Sequence, residues 1–127
     1  MLYSVKQITL HRIFIKGRAK VKMDIRLVKL YDIYSPLLSD RQREIMDLYY
    51  NEDESLSEIA ENTGITRQGV RDWIKKTESQ LAAFETALGL AEKTEQLKNT
   101  LSEARNAVST GETDSALELI SKAETLI

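Results

Sequence analysis

The side chains best suited to bind a ligand lie close together in the middle of the chain. Thr66 can cap a helix, and cationic and amide side chains follow it at helical spacing: Arg67, Gln68, Arg71, Lys75 and Lys76. Arginine matches the acceptors of guanine, glutamine matches adenine, and cationic side chains in general neutralise phosphates. Residues 66–76 carry a net charge of +3, whereas residues 77–127 carry −5. This pattern favours nucleic-acid binding over its alternative, an ordinary solvated helix face.

The place of each side chain along the helix suggests its role. Arg67 and Gln68 lie in the leading turn, where side chains can reach base edges. The cations farther along are better placed for phosphates, with two arginines of an earlier helix as auxiliary contacts: Arg71, Lys75, Lys76, Arg41 and Arg43. Two residues complicate this interpretation. Gly69 either permits close approach to a nucleic-acid backbone or is a tolerated weak spot, since glycine costs about 1 kcal/mol inside a helix. Asp72 pairs with Lys75 or Lys76, orients Arg71, or opposes DNA binding if it is unpaired.

These side chains need two helices and a turn to position them. Ser55 and Glu58 form a capping box for a short helix, Gly64 can supply the positive φ of a tight turn, and Thr66 caps a longer helix. Apolar side chains that can pack the two helices together are Ile59, Ile65, Val70 and Ile74. Residues 55–76 therefore read as a helix-turn-helix.

Two helices are predicted before this motif. The first begins after Met23, has its apolar stripe at Leu27, Leu30, Tyr31 and Tyr34, and ends at Pro36. The second, capped by Ser39, runs from Asp40 to about Tyr50 and buries Ile45, Leu48 and Tyr49. Tyr31, Tyr34 and Tyr49 are interpreted as core residues, and Tyr50 as exposed.

The chain after the motif is also helical. A stripe predicts that the fourth helix continues to Leu88, with Gly89 as its stop: Val70, Ile74, Thr77, Leu81, Phe84 and Leu88. A fifth helix over about 90–108 carries Leu97, Leu101, Ala104 and Val108. After a break at 109–111, Thr113 caps a sixth helix that carries Ala116, Ile120, Ala123 and Ile127 on one face. The last two helices form an acidic hairpin, interpreted as a packing or dimerisation element. A homodimer is also expected if the stripe through Leu81, Phe84 and Leu88 has no intramolecular partner.

The net charge of −2 is a cancellation between two segments. Residues 1–22 carry six basic residues and no acid, and the remaining residues carry a net −8. Three interpretations of the leader stay open: a basic arm, a short β-ribbon, or non-native sequence upstream of a start at Met23. His11, the one histidine, shares that uncertainty.

Composition excludes several classes of function. The chain has no cysteine and one histidine, so a thiolate zinc site or a Cys nucleophile is ruled out, and we expect no metal or other cofactor. No phosphate-cradling loop occurs, and His11 alone could act as a histidine base, so an enzyme is the least favoured interpretation. No apolar run approaches the length of a membrane span, and we expect the protein in the cytoplasm.

Residues 26–88 resemble the YlxM-type family of small bacterial helix-turn-helix proteins. The resemblance lies in RLVKLYDIYSPLLSDRQREIMDLYY (26–50), SLSEIAENTGITRQGV (55–70) and IKKTESQL (74–81). The helix-turn-helix half of that family is similar to region four of bacterial sigma factors, which implies Thr66, Arg67, Gln68 and Arg71 as DNA-facing residues. Gly69 departs from the sigma-factor pattern, where a larger polar residue is usual. The resemblance also implies a link to the signal recognition particle pathway.

The sequence therefore predicts an all-α protein with a sigma region-four-like helix-turn-helix bundle, a long fourth helix and a C-terminal helical hairpin. Its expected divisions are the basic leader 1–22, a helix-turn-helix domain 23–88 and the acidic hairpin 89–127. The predicted function is that of a non-enzymatic regulator that binds double-stranded DNA or signal recognition particle RNA. The alternative is a module that docks on the targeting GTPase or its RNA complex without reading DNA.

Overall fold

The computed structural model describes residues 24–127, and these residues form an all-α structure, as predicted. The helices are α1 (Ile25–Tyr34), α2 (Asp40–Met46), α3 (Leu56–Thr63), α4 (Arg67–Leu88), α5 (Leu90–Ser109) and α6 (Thr113–Thr125). The predictions about residues 1–22, His11 and Met23 lie outside the described residues. No helix among residues 24–127 is both long and apolar enough to cross a membrane.

The described residues divide into two compact units, the first ending at Ala87 and the second comprising residues 88–127. The described part of the first unit, residues 24–87, contains α1 to α3 and nearly all of α4; we call it the helix-turn-helix unit. The second contains the α5–α6 hairpin; we call it the hairpin unit. Each is described by itself below.

Local capping defines the helix starts of the helix-turn-helix unit. Ser39 and Ser55 both form capping boxes, with Gln42 and Glu58 respectively, so both sequence-predicted caps are confirmed. A single turn of 3-10 helix at Ser35–Leu37 follows α1, because Pro36 cannot continue the α-helical hydrogen bonding.

The end of the second predicted helix differs from the expectation. Asp47–Asn51 forms a π-helical turn, which places an extra residue in the turn and shifts the inward face. Tyr50 is 1% exposed rather than on the surface, while Leu48 and Tyr49 are only half-buried. The prediction that Tyr50 is exposed is therefore wrong, because a strict α-helical period does not hold here.

The core of the helix-turn-helix unit combines branched apolar side chains with buried tyrosines. The largest fully buried side chains are Tyr34, Tyr50, Ile45, Met46, Ile59, Leu81, Val70 and Thr77. The predicted stripe of α4 is buried as far as Leu81, and Phe84 lies against Tyr34 with ring centroids 5.7 Å apart. That stripe therefore has an intramolecular partner up to Phe84, and only Leu88 at its end is largely exposed.

Three tyrosine hydroxyls each donate a hydrogen bond to a carboxylate. Tyr31 donates to Asp47 at 2.6 Å, Tyr34 to Glu85 at 2.6 Å and Tyr50 to Glu78 at 2.7 Å. Each bond satisfies the polar end of a largely buried aromatic side chain. Two of the acceptors are on α4, so these bonds attach the long helix to α1 and to the turn after α2.

A buried glutamine makes a second attachment between α2 and α4. Gln42 Nε2 donates to Thr77 Oγ1 at 3.2 Å and also to Gln80 Oε1. The Oε1 atom of Gln42 accepts from the backbone N–H of Ser39 at 3.0 Å. One side chain thus completes the cap of α2 and fixes the position of α4.

The hairpin unit buries mainly small side chains. The residues buried in it are Thr100, Ala104, Ala107, Ala116 and Ala123. Leu101, Val108 and Ile120, which share the predicted stripes with these alanines, are exposed by 49%, 64% and 43%. Small side chains let the two helices approach closely, which leaves the larger neighbours outside the contact. Thr113 is the first residue of α6 rather than its cap, and Glu112 holds the cap position.

Candidate nucleic-acid interface

The turn between α3 and α4 has the geometry that the sequence predicted. Gly64 ends α3 in the left-handed region at φ 72°, and its N–H bonds to the carbonyl of Ala60 at 3.0 Å. Thr66 then caps α4, its Oγ1 accepting from the N–H of Gly69 at 3.0 Å. Ile59 and Val70, one from each helix, are completely buried. The two helices of the motif are therefore fixed by both capping and packing.

Gly69 has a packing role that neither sequence interpretation anticipated. A Cβ atom at this position would lie 2.6 Å from Cγ2 of Ile65 and 3.1 Å from Oγ1 of Thr66. The turn folds so closely over the start of α4 that only glycine fits without displacement. Gly69 is therefore neither a weak spot nor evidence about nucleic-acid contact.

All six predicted site residues are exposed on or beside the first turns of α4: Thr66, Arg67, Gln68, Arg71, Lys75 and Lys76. The helical period separates them into two rows. Arg67, Arg71 and Lys75, spaced by four residues, form a purely cationic row. A second row, about 100° around the helix, contains Gln68, Asp72 and Lys76.

The cationic row is unoccupied by other protein groups. Within residues 24–127, Arg67, Arg71 and Lys75 form no ion pair and no side-chain hydrogen bond. Eight residues of helix separate the first from the last, a span of about 12 Å along the axis. Three cations at this spacing can neutralise successive phosphates of one nucleic-acid strand, and no internal salt bridge needs to break first.

The second row is internally bonded. Gln68 Nε2 donates to Asp72 Oδ1 at 2.9 Å. The three alternatives for Asp72 are thereby corrected, since its partner is Gln68 and not Lys75, Lys76 or Arg71. The remaining N–H and the carbonyl of the Gln68 amide are still available to a base edge. An acid four residues after the glutamine is the sequence signal for this pair, which the sequence interpretation missed.

Lys76 is held against an aromatic ring rather than left free. Its Nζ lies 5.7 Å from the ring centroid of Trp73, which is itself half-buried. A cation–π contact at this distance stabilises by about 0.5–1 kcal/mol at an exposed site. Lys76 therefore projects beside α4 in a more restricted position than Lys75.

The two arginines expected as auxiliary contacts have structural partners. Arg43 donates to the carbonyls of Ser35 and Leu38, at 3.2 and 2.6 Å, and also binds Asp40. It ties the α1–α2 connection together, so its prediction as a nucleic-acid contact has no support in this geometry. Arg41 pairs with Glu44 at 2.8 Å and reaches the carbonyl of Thr63 at 3.4 Å, where α3 ends.

Comparisons with known proteins agree with this architecture. The family model described as "Putative helix-turn-helix protein, YlxM / p13 like" (UPF0122) matches residues 21–120. The match extends beyond residue 88, the last residue of the resemblance found in the sequence, and includes most of the hairpin unit.

Curated relatives are similar over a large share of their own length. A UPF0122 protein of Thermoanaerobacter sp. (strain X514) is 46% identical over 79 residues, which cover 62% of this chain and 68% of the relative. The UPF0122 protein of Desulforamulus reducens is 40% identical over 98 residues, or 77% of this chain and 84% of the relative. That of Clostridium kluyveri is 47% identical over 74 residues, covering 58% and 67%.

Proposed function

Because this chain belongs to the YlxM/p13-like family of helix-turn-helix proteins, we propose that it is a non-enzymatic regulator that binds nucleic acid through α4. The cationic row carries the proposal. Arg67, Arg71 and Lys75 are exposed and free of internal partners, on a helix whose position is fixed by buried contacts. A charged row that served only folding would be expected to pair with the acidic residues that surround it.

The proposed binding mode places the start of α4 in a major groove. Arg67 and Gln68 approach base edges there, with Gln68 held by Asp72. Thr66 ends the preceding turn and leaves the first backbone N–H groups of α4 facing the phosphates. Farther along the helix, Arg71, Lys75 and Lys76 anchor the strand. Residues 23–88 act as the binding domain in this proposal, and residues 89–127 as a separate hairpin.

The biological setting follows from the resemblance rather than from the geometry. A link to the signal recognition particle pathway makes its RNA a natural ligand beside double-stranded DNA. The A-form helix of RNA has a deep and narrow major groove, so a recognition helix would contact RNA mainly through phosphates. The proposed site of action is the cytoplasm.

A second candidate function is docking on the targeting GTPase or its RNA complex without DNA reading. The observation that favours it is the Gln68–Asp72 bond, since an aspartate beside the cationic row repels phosphate. Gly69 favours neither candidate, because its close packing against Ile65 accounts for the glycine at this position.

One titration series tests the two candidates against each other. The full chain is titrated with random-sequence duplex DNA, with signal recognition particle RNA and with the targeting GTPase, at several salt concentrations. For duplex DNA we expect log K to fall against log salt with a slope of about −4 to −5, as for four to six neutralised phosphates. The double variant Arg67→Ala/Arg71→Ala should reduce the magnitude of this slope by about 2.

The matched control removes two exposed cations from other helices, Lys29→Ala/Lys122→Ala. It has the same net charge as the site variant but keeps the row on α4. If both double variants weaken duplex binding equally, the attraction is diffuse and the proposed site is wrong. If neither nucleic acid binds but the GTPase does, and Arg67→Ala/Arg71→Ala leaves that affinity unchanged, docking is the function.

A further inference from the structure

The hairpin unit has an apolar face that its own two helices leave uncovered. In α5, Leu97, Leu101, Ala104 and Val108 follow the alternating four- and three-residue spacing of a helical-bundle seam. In α6, Ala116, Ile120 and Ala123 do the same. Such a seam normally points into a core on all its positions.

Only one half of each seam is used inside the hairpin. The alanines are the contact between the helices, with Ala104, Ala116 and Ala123 at most 5% exposed. The larger members point away from that contact, and Leu101, Val108 and Ile120 are each more than two-fifths exposed. Leu117, next to Ile120 on α6, is 57% exposed and widens the same surface.

The exposed halves of the two seams lie on one side of the hairpin. When each helix is viewed along its own chain direction, its large exposed residues lie on the same side of its buried residues, clockwise or anticlockwise alike in the two helices. Because α5 and α6 are antiparallel neighbours, offsets of the same sense turn both sets toward the same face. Leu101, Val108, Leu117 and Ile120 therefore form one continuous surface, which we call the hairpin face.

We propose that the hairpin face binds the hairpin face of a second copy of this chain, forming a four-helix bundle. In this bundle, alanines pack between the two helices of each hairpin, and larger side chains pack between the two hairpins. Large and small residues therefore alternate through the core. The bundle buries the seam residues that one hairpin alone leaves exposed, and the hairpin does not have to rearrange.

The charges beside the face favour a second copy in one arrangement. Lys98 and Arg105 lie at the outer edge of the face on α5, whereas Glu124 lies within the α6 half of the face, between the directions of Ile120 and Leu117. When α5 of each copy packs on α6 of the other, the cations of α5 lie beside Glu124 of the other copy. When α5 packs on α5, like charges meet.

The register of the pair follows from the hairpin turn. Lys98 and Glu124 are equally far along the chain from Gly111, and so are Arg105 and Leu117. A two-fold axis parallel to the helices therefore brings Lys98 of one copy level with Glu124 of the other. Neither residue has an ion-pair partner among the described residues of its own chain.

The size of the face sets the expected strength. Two adjacent helices of this length present a footprint of about 400 Å². This is about half of what each partner contributes to a standard interface, so association should be weak and reversible. We expect a dissociation constant on the order of 10–100 μM. Pairing would also join two helix-turn-helix units, so that nucleic-acid binding becomes bivalent.

Sedimentation velocity of the full chain, from about 5 to 500 μM, measures the association without any nucleic acid. The variant Leu101→Lys/Ile120→Lys places charge on the face at positions that are already exposed, so the hairpin itself should still fold. We expect its dissociation constant to rise at least about tenfold. The matched control Asn99→Lys/Ser115→Lys adds the same charge to exposed residues on the opposite side of the same helices and should change it less than about twofold. Far-UV circular dichroism verifies the helix content of both variants.

A charge exchange tests the arrangement of the two copies. Glu124→Lys should weaken the pair, and adding Lys98→Glu to it should restore the wild-type constant. A wild-type chain that stays monomeric up to about 500 μM would overturn the proposal. So would equal weakening by Leu101→Lys/Ile120→Lys and by its control Asn99→Lys/Ser115→Lys. Failure of the exchange to restore pairing would exclude the α5-on-α6 arrangement.

Discussion

The helix-turn-helix unit and the hairpin unit pack their helices together with opposite kinds of side chain. In the first, the large apolar side chains are inside, and buried polar groups such as Gln42 and Tyr50 bond across helices. In the second, alanines are inside and the large side chains are outside. The difference shows that helical periodicity alone does not identify a core. In the hairpin, some residues of a periodic seam are buried within the chain, while the others are exposed and can contact another chain.

The largest expected contrast comes from the same substitution in each unit. Leu81→Ala removes a side chain that is 0% exposed and should lower the free energy of unfolding by about 3 kcal/mol, through lost burial and a cavity. Leu101→Ala removes one that is 49% exposed and should cost about 0.5 kcal/mol or less at low protein concentration.

Urea unfolding followed by Trp73 fluorescence measures this contrast, since Trp73 is the one tryptophan and lies in the helix-turn-helix unit. Leu81→Ala should shift that transition to lower urea, and Leu101→Ala should leave it in place. Equal shifts would mean that the hairpin face is part of a shared core, contrary to the comparison between the units.

The second contrast concerns the side-chain hydrogen bonds of a buried and of an exposed glutamine. Gln42→Ala removes the capping acceptor of α2 and leaves the buried hydroxyl of Thr77 without its donor. We expect a loss of about 2 kcal/mol in the free energy of unfolding. Gln96→Ala, at an exposed glutamine of the hairpin bonded only to Glu92 at 3.5 Å, is the control and should cost less than about 0.5 kcal/mol.

A double variant separates the two parts of the Gln42 effect. Gln42→Leu/Thr77→Val replaces the buried polar pair by apolar groups, so it should recover the share that arises from the unsatisfied hydroxyl. The loss of the cap should remain. A double variant as unstable as the sum of the single changes would show that the two side chains do not act as a pair.

What could be predicted from the sequence was mostly local. Ser39, Ser55, Gly64 and Thr66 act within four residues of the groups they cap or turn, and short-range rules identified each of them. The exposure of the cationic residues followed from the same helical period.

What could not be predicted depends on contacts between distant residues. The bond of Gln42 to Thr77 spans 35 positions, and the π-helical turn that buries Tyr50 arises where that ring packs on Tyr31 at 5.5 Å. In the hairpin, the pattern showed a seam but not which half of it α6 would cover. The nucleic-acid role of Arg67 and its neighbours stays a prediction.

A smaller effect is expected at Gly69. Alanine usually stabilises a helix interior relative to glycine by about 1 kcal/mol. Here its Cβ would lie 2.6 Å from Ile65, so Gly69→Ala should instead destabilise by about 1 kcal/mol. Adding Ile65→Ala removes the clashing methyl group and should reverse the sign of the Gly69→Ala effect. Thermal unfolding of the four variants in this cycle measures the coupling, and additive effects would contradict the packing role.

The smallest effect is a pH dependence located in the helix-turn-helix unit. Burial raises the pKa of Glu78 above its usual 4.5, the nearby charge of Asp24 raises it further, and the hydrogen bond from Tyr50 acts in the opposite direction. The folded state therefore holds the Glu78 proton to higher pH than the unfolded chain does. Over the interval between the two pKa values the folded state binds more protons, so this contribution to stability falls as pH rises.

Glu78→Gln should remove that fall while its amide oxygen still accepts from Tyr50. Relative to the wild type, its free energy of unfolding should rise with pH from about 4.5 through the raised pKa and then become constant. Tyr50→Phe removes the one contribution that lowers the pKa, so it should move the wild-type fall to higher pH. Urea midpoints by Trp73 fluorescence between about pH 4 and pH 8 measure both curves. A Tyr50→Phe curve displaced to lower pH would show that the hydroxyl does not stabilise the Glu78 carboxylate, and that the tyrosines attach α4 by ring packing alone.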